Sequence, residues 1–137
     1  MARFADMTLA LVRQRAGAAH EFLQVAEERI ELIRADSGES AEAQVAASNA
    51  INAGISACYA ICGKTLGQRA NDGDHRLAVD LLGSVKPSGA QLAMRLRRLL
   101  ADKSELQYGG YCSAAVARSM TKEARKLVEA MADFGIS

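Results

Sequence analysis

From Ala41 to Gly63 the chain carries one charged residue, Glu42, whereas charges are scattered through the rest of the sequence. Wound at about 3.6 residues per turn, this stretch resolves into three stripes. Ala46, Ala50, Ala53, Ala57 and Ala60 form one. Ala47, Ile51, Gly54, Ile55, Cys58 and Cys62 form a second. Ser48, Asn49, Asn52, Ser56 and Tyr59 form a narrower third. A helix with almost no charge on any face is covered on most sides, so the pattern predicts a central helix over residues 41–67. The alanines suit close packing, Ile and Cys suit the core, and the polar stripe suits a seam or a dimer face.

The flanking segments keep the helical period. Over residues 8–34, Leu11, Val12, Ala16, Ala19, Phe22, Leu23, Ala26, Ile30 and Ile33 face inward, with Arg13, Arg15, Glu21, Glu27, Glu28 and Glu31 mostly elsewhere. Gly17 marks a bend or a close contact in this first helix, and His20 reads as a surface residue. Ser37 or Ser40 caps the central helix, with Glu42 in its first turn. Two long helices joined by a short loop pack antiparallel. Asn71-Asp72-Gly73-Asp74 is a break, and Asp72 or Asp74 caps a short third helix carrying Leu77, Val79, Leu81 and Leu82. Ser88 with Gln91 reads as a capping box for a fourth helix over residues 89–102. Its Leu92, Leu96, Leu99 and Leu100 point inward, and Arg95 and Arg98 outward. After a less regular stretch, a last helix over residues 113–132 buries Val116, Met120, Ala124, Leu127, Val128 and Met131. No strand pattern is visible. The expected fold is all-α: one domain over residues 1–137, an antiparallel bundle of four to five helices around the long Ala-rich central helix.

Composition agrees, with one Pro, no Trp and abundant Ala. The net charge of +1 names no acidic or basic partner in bulk. Locally, Lys86, Arg95, Arg97, Arg98 and Lys103 stand against Asp102 alone. Such an excess is either a solvated helix face or a surface for phosphates. Three cysteines make no disulfide framework and suit a reducing, cytoplasmic setting. No apolar leader with a cleavage site follows Met1. The central helix is long enough for a bilayer, but Gln44, Ser48, Asn49, Asn52 and Ser56 recur along it, so it reads as a core helix and no membrane is expected as a partner.

The most suggestive chemistry lies at Arg69, Asp72, Asp74 and His75. Imidazole moves the proton of a 2′-hydroxyl near neutral pH, guanidinium holds a phosphate and its developing charge, and a carboxylate orients the imidazole. The structural alternative is that Asp72, Asp74 and His75 open the third helix while Arg69 pairs with a carboxylate. Cys58, Cys62, Cys112 and His75 lack the short Cys-x-x-Cys spacing of a zinc knuckle and read as core residues, so neither a metal nor a cofactor is expected. Gly63-Lys64-Thr65 is not a phosphate loop, because Cys58 stands where its first glycine belongs.

The order of these segments carries a resemblance. An Ala-rich helix is followed by Arg69-Ala70-Asn71-Asp72-Gly73-Asp74-His75, a basic helix, Lys103-Ser104-Glu105-Leu106-Gln107-Tyr108, and a final helix with Ala124, Leu127 and Val128. From about Ala16 to Ala132 this resembles the HEPN superfamily, the "higher eukaryotes and prokaryotes nucleotide-binding" domain. The resemblance implies a helical bundle that forms a homodimer. It also implies one of two functions. One is a non-catalytic module binding RNA, a nucleotide or a partner protein. The other is a metal-independent ribonuclease, a toxin of a toxin–antitoxin or antiviral system, with an antitoxin protein as partner. In the family an Arg and a His a few residues apart are the catalytic pair, which places Arg69 on the phosphate and His75 as acid or base. Ala70 stands where the family often has a polar residue, and Asn71-Asp72-Gly73 breaks a motif the family keeps on or near a helix. These departures favour binding over catalysis. Lys103 with Tyr108 resembles a basic residue and Tyr found in some members. Arg95, Arg98, Lys103 and Tyr108 are therefore the candidate nucleic-acid contacts.

Overall fold

The computed structural model describes residues 3–33, 38–101 and 112–137. Five α-helices are present among them: α1 (Leu9–Glu31), α2 (Ala41–Leu66), α3 (His75–Gly83), α4 (Gly89–Ala101) and α5 (Ala114–Ala130). A 3-10 turn, Met131–Phe134, follows α5. The all-α bundle expected from periodicity is present, with α2 at its centre.

Local signals set the helix ends. Thr8 Oγ1 accepts from Leu11 N, Ser40 Oγ from Ala43 N, Asp74 Oδ1 from Leu77 N and Ser113 Oγ from Val116 N. Each side chain satisfies a backbone donor that the first turn leaves without an intrahelical partner. At its other end α2 closes on Gly67, whose φ of 72° is open to glycine at no steric cost.

Packing follows from the stripes. Ala43, Ala46, Ala50, Ala53, Ala57 and Ala60 are completely buried. Their small side chains let neighbouring helices approach α2 closely. Gly63 lies under Met7 and Val12, so the start of α1 meets the end of α2 and the two helices run antiparallel. Glu27 pairs with Arg125 at 2.9 Å, and the Ile33 carbonyl accepts from Arg118, so α5 runs antiparallel to α1. Gln44 accepts from Cys112 N, while Gly54 lies against Leu127, so α5 runs alongside α2 in the same direction. By length and composition α2 could cross a bilayer, yet most of it is buried among the other helices.

Two expectations are corrected. The chain does contain strands: β1 (Phe4–Asp6) and β2 (Gln68–Ala70) pair antiparallel, Ala5 opposite Arg69. Each is three residues long, too short for a period-2 signal, and the pairing joins segments far apart in sequence. Leu11 keeps the α1 period but is 40 % exposed, because none of the described elements covers that side. The polar stripe also divides. Ser48 and Asn52 are exposed, whereas Ser56 and Tyr59 are buried.

Candidate functional site

Arg69 sits in the middle of β2, with exposed Gln68 before it and buried Ala70 after it. The helix cap at Gly67 turns the chain into this strand, which brings Arg69 over the last turns of α2. Its guanidinium carbon lies 4.7 Å from the centroid of the Tyr59 ring. Arg15 of α1 approaches the same ring at 5.3 Å. Two cations on one buried ring are held by its negative faces. Arg69 Nη1 also donates to the Ala70 carbonyl at 2.9 Å and to Asp72 Oδ1 at 3.0 Å. Only 16 % of the Arg69 side chain is exposed, so this ion pair is half sheltered, Asp72 being the open partner. Burial pushes the Tyr59 phenol above its ordinary pKa, the Asp72 carboxylate adds to the rise, and Arg69 opposes it.

Asp74 is committed differently. One oxygen caps α3 and the other faces Arg3 at 3.6 Å. His75 is the first residue of α3 and lines a cleft of about 540 Å³ between α3 and α4. Arg76, Val79, Asp80, Arg97, Leu100 and Ala101 complete its walls; Arg69 is not among them. The four candidate catalytic residues thus take different partners. Arg69 lies over Tyr59 and pairs with Asp72, Asp74 caps α3 and faces Arg3, and His75 lines the cleft.

The candidate nucleic-acid contacts are divided too. Arg95 pairs with Glu123 of α5 at 3.2 Å in a partly buried bridge. Arg98 is exposed on α4. Lys103 and Tyr108 lie outside the described residues, as does Ser37. Arg97, which the sequence shows in the basic cluster, and Arg76, which no sequence pattern marked, are exposed and line the cleft.

Cys58 and Cys62 are buried on α2, and Cys58 Sγ donates to the Ala78 carbonyl across to α3 at 3.6 Å. The Cys58 thiol titrates well above its ordinary range, first through its hydrogen bond with Cys62 and then through burial. Among the described residues no three His, Cys, Asp or Glu side chains gather as metal ligands. Alkaline stability follows from these shifts. A raised folded pKa means that the native state keeps a proton the unfolded state has lost, so stability is full below the unfolded pKa and falls as pH rises through the folded one. Urea unfolding midpoints are expected to drop from about pH 9 upward, where unfolded Cys and Tyr ionise. Tyr59→Phe should flatten the upper part of that decline; an unchanged pH profile would argue against a sheltered phenol.

No protein-family model and no curated protein matches this chain.

Proposed function

We propose that this protein is a non-catalytic, HEPN-like binding module that holds phosphate groups of RNA or a nucleotide in the cleft between α3 and α4. The observation that carries this reading is the engagement of the Arg69 guanidinium, which lies over the Tyr59 ring and donates to the Ala70 carbonyl and Asp72. Metal-independent RNA cleavage by such a pair needs guanidinium and imidazole on one phosphate. Arg69 would have to leave the Tyr59 ring, the Ala70 carbonyl and Asp72 together. The cleft, by contrast, offers Arg76 and Arg97 against the one acid, Asp80, and neither arginine is in an ion pair among the described residues. The HEPN resemblance extends the proposal to a homodimer. The exposed strip Val45, Ser48 and Asn52 supports that extension, because two copies meeting there desolvate no charge.

The test uses a short single-stranded RNA without added metal. Arg76→Glu with Arg97→Glu is expected to weaken binding at least about tenfold and to flatten the salt dependence by about one to two units of slope. Wild type and His75→Ala should leave the RNA equally intact. Cleavage by the wild type that His75→Ala abolishes would replace this reading with the alternative, a metal-independent ribonuclease using Arg69 and His75, for which an antitoxin protein is the natural partner.

A further inference from the structure

Gly17 lies in the interior of α1, where glycine weakens a helix relative to alanine. The usual reasons for accepting that weakness are missing. Its φ is not positive, since Gly67, Gly73 and Gly135 are the positive-φ glycines among the described residues. No neighbour crowds it either, because a Cβ there would meet nothing within 4 Å. Gly54 and Gly63 of α2 are the opposite case, each pressed by side chains of other elements.

Gly17 is exposed, and beside it opens a surface cleft of about 370 Å³, remote in sequence from the residues of the α3/α4 cleft. Leu9, Val12 and Ile136 give it apolar walls, and Arg13 and Lys64 stand at its edge. Leu9 is 59 % exposed, so the cleft is open to solvent on that side. Both cations are exposed, and among the described residues neither has a carboxylate oxygen within 4.0 Å. The lining contains no acidic side chain.

We propose that this cleft is a binding site for a small amphipathic carboxylate. The apolar tail lies along Leu9, Val12 and Ile136 in the space Gly17 leaves open, and Arg13 and Lys64 hold the carboxylate. An apolar wall with a few convergent polar groups is what fixes a small ligand, and the volume sits at the lower end of the roughly 300–1,000 Å³ of such pockets. Arg13 and Lys64 outnumber the one carboxylate that a chain ending at Ser137 brings to the lining, which favours an anion over an amine.

Calorimetric titration of the full chain with octanoate, octylammonium and acetate tests the site. Octanoate should bind saturably, one per chain, with octylammonium and acetate at least about tenfold weaker. Gly17→Leu should abolish octanoate binding while keeping or raising the thermal midpoint, because leucine is the better helix former and its side chain enters empty space. Arg13→Gln with Lys64→Gln leaves the walls intact and should weaken octanoate about tenfold. The proposal fails if the wild type shows no octanoate binding up to about 10 mM. It also fails if octylammonium binds equally well, or if a folded Gly17→Leu or the charge-neutral double variant binds octanoate as the wild type does.

Discussion

Gly89→Ala is expected to lower the free energy of unfolding by about 3 kcal/mol. Gly89 opens α4 directly after the turn that leaves α3. A Cβ there would collide with the Leu82 carbonyl oxygen and lie 3.1 Å from Val85 Cβ. Neither neighbour has room to retreat. The Leu82 carbonyl accepts from Val85 N at 3.1 Å, and Gly89 N donates to the Val85 carbonyl at 2.8 Å. The turn is locked from both sides, so the collision falls on backbone rather than on a mobile side chain. Alanine's better helix propensity returns only about 1 kcal/mol, which the collision outweighs. Gly83→Ala is the control, since a Cβ there meets Ala93 Cβ at an ordinary 3.6 Å and should be neutral or mildly stabilising. Urea unfolding of both variants checks the contrast. Because the same turn sets the spacing of α3 and α4, Gly89→Ala should also weaken RNA binding, and Gly83→Ala should not. Equal stability of the two variants would mean that the turn is looser than its hydrogen bonds imply.

Leu99→Ala should cost about 2–5 kcal/mol, the range for a leucine removed from a packed core. Leu99 is 1 % exposed and its side chain fills the hollow above Gly54 of α2. Gly54→Ala alone puts a Cβ into the Leu99 Cδ2 position and 3.3 Å from Leu127 Cδ1. That should cost about 1–3 kcal/mol in spite of the gain in helix propensity. The double variant is the informative one. With Leu99 shortened, the new methyl at position 54 occupies part of the vacated volume. The two losses should then fall short of additivity by at least about 1 kcal/mol in a double-mutant cycle. Additive losses would place the strain of Gly54→Ala on Leu127 instead.

The Leu99 and Gly54 prediction rests on α2 being a helix that other helices touch closely, and that much is legible in the sequence. A run of small residues with almost no charge has one physical solution, burial on most sides, and the fully buried alanines from Ala43 to Ala60 follow from it. Helix starts were legible to one of two residues each, Ser37 or Ser40 and Asp72 or Asp74, because capping joins residues three apart; Ser40 and Asp74 make the caps. Leu11 marks the boundary of such reasoning. Periodicity fixes the angle at which a side chain leaves the helix, but not whether another element covers that angle.

The candidate site was legible as residue types and illegible as geometry. Arg69, Asp72, Asp74 and His75 stand out together in the sequence, which does not show what each of them touches. Several of their partners are distant in the chain. Tyr59, one helix earlier, takes the Arg69 guanidinium, Arg3 at the other edge of the small sheet faces Asp74, and α4 supplies the second wall of the cleft that His75 lines. Arg95 shows the same thing, since its partner Glu123 is 28 residues away.

The sequence by itself determined what depends on near neighbours: the helical periods, the caps, the break at Asn71-Asp72-Gly73 and the charge-free centre. Tertiary structure alone decided which segments pair as β1 and β2, which arginines are spent on internal contacts, and which remain on the walls of a cleft. The physical reason is range. Helix propensity and capping act within about one turn, whereas strand pairing, ring stacking and ion pairs are chosen among all the groups that folding brings within a few ångströms.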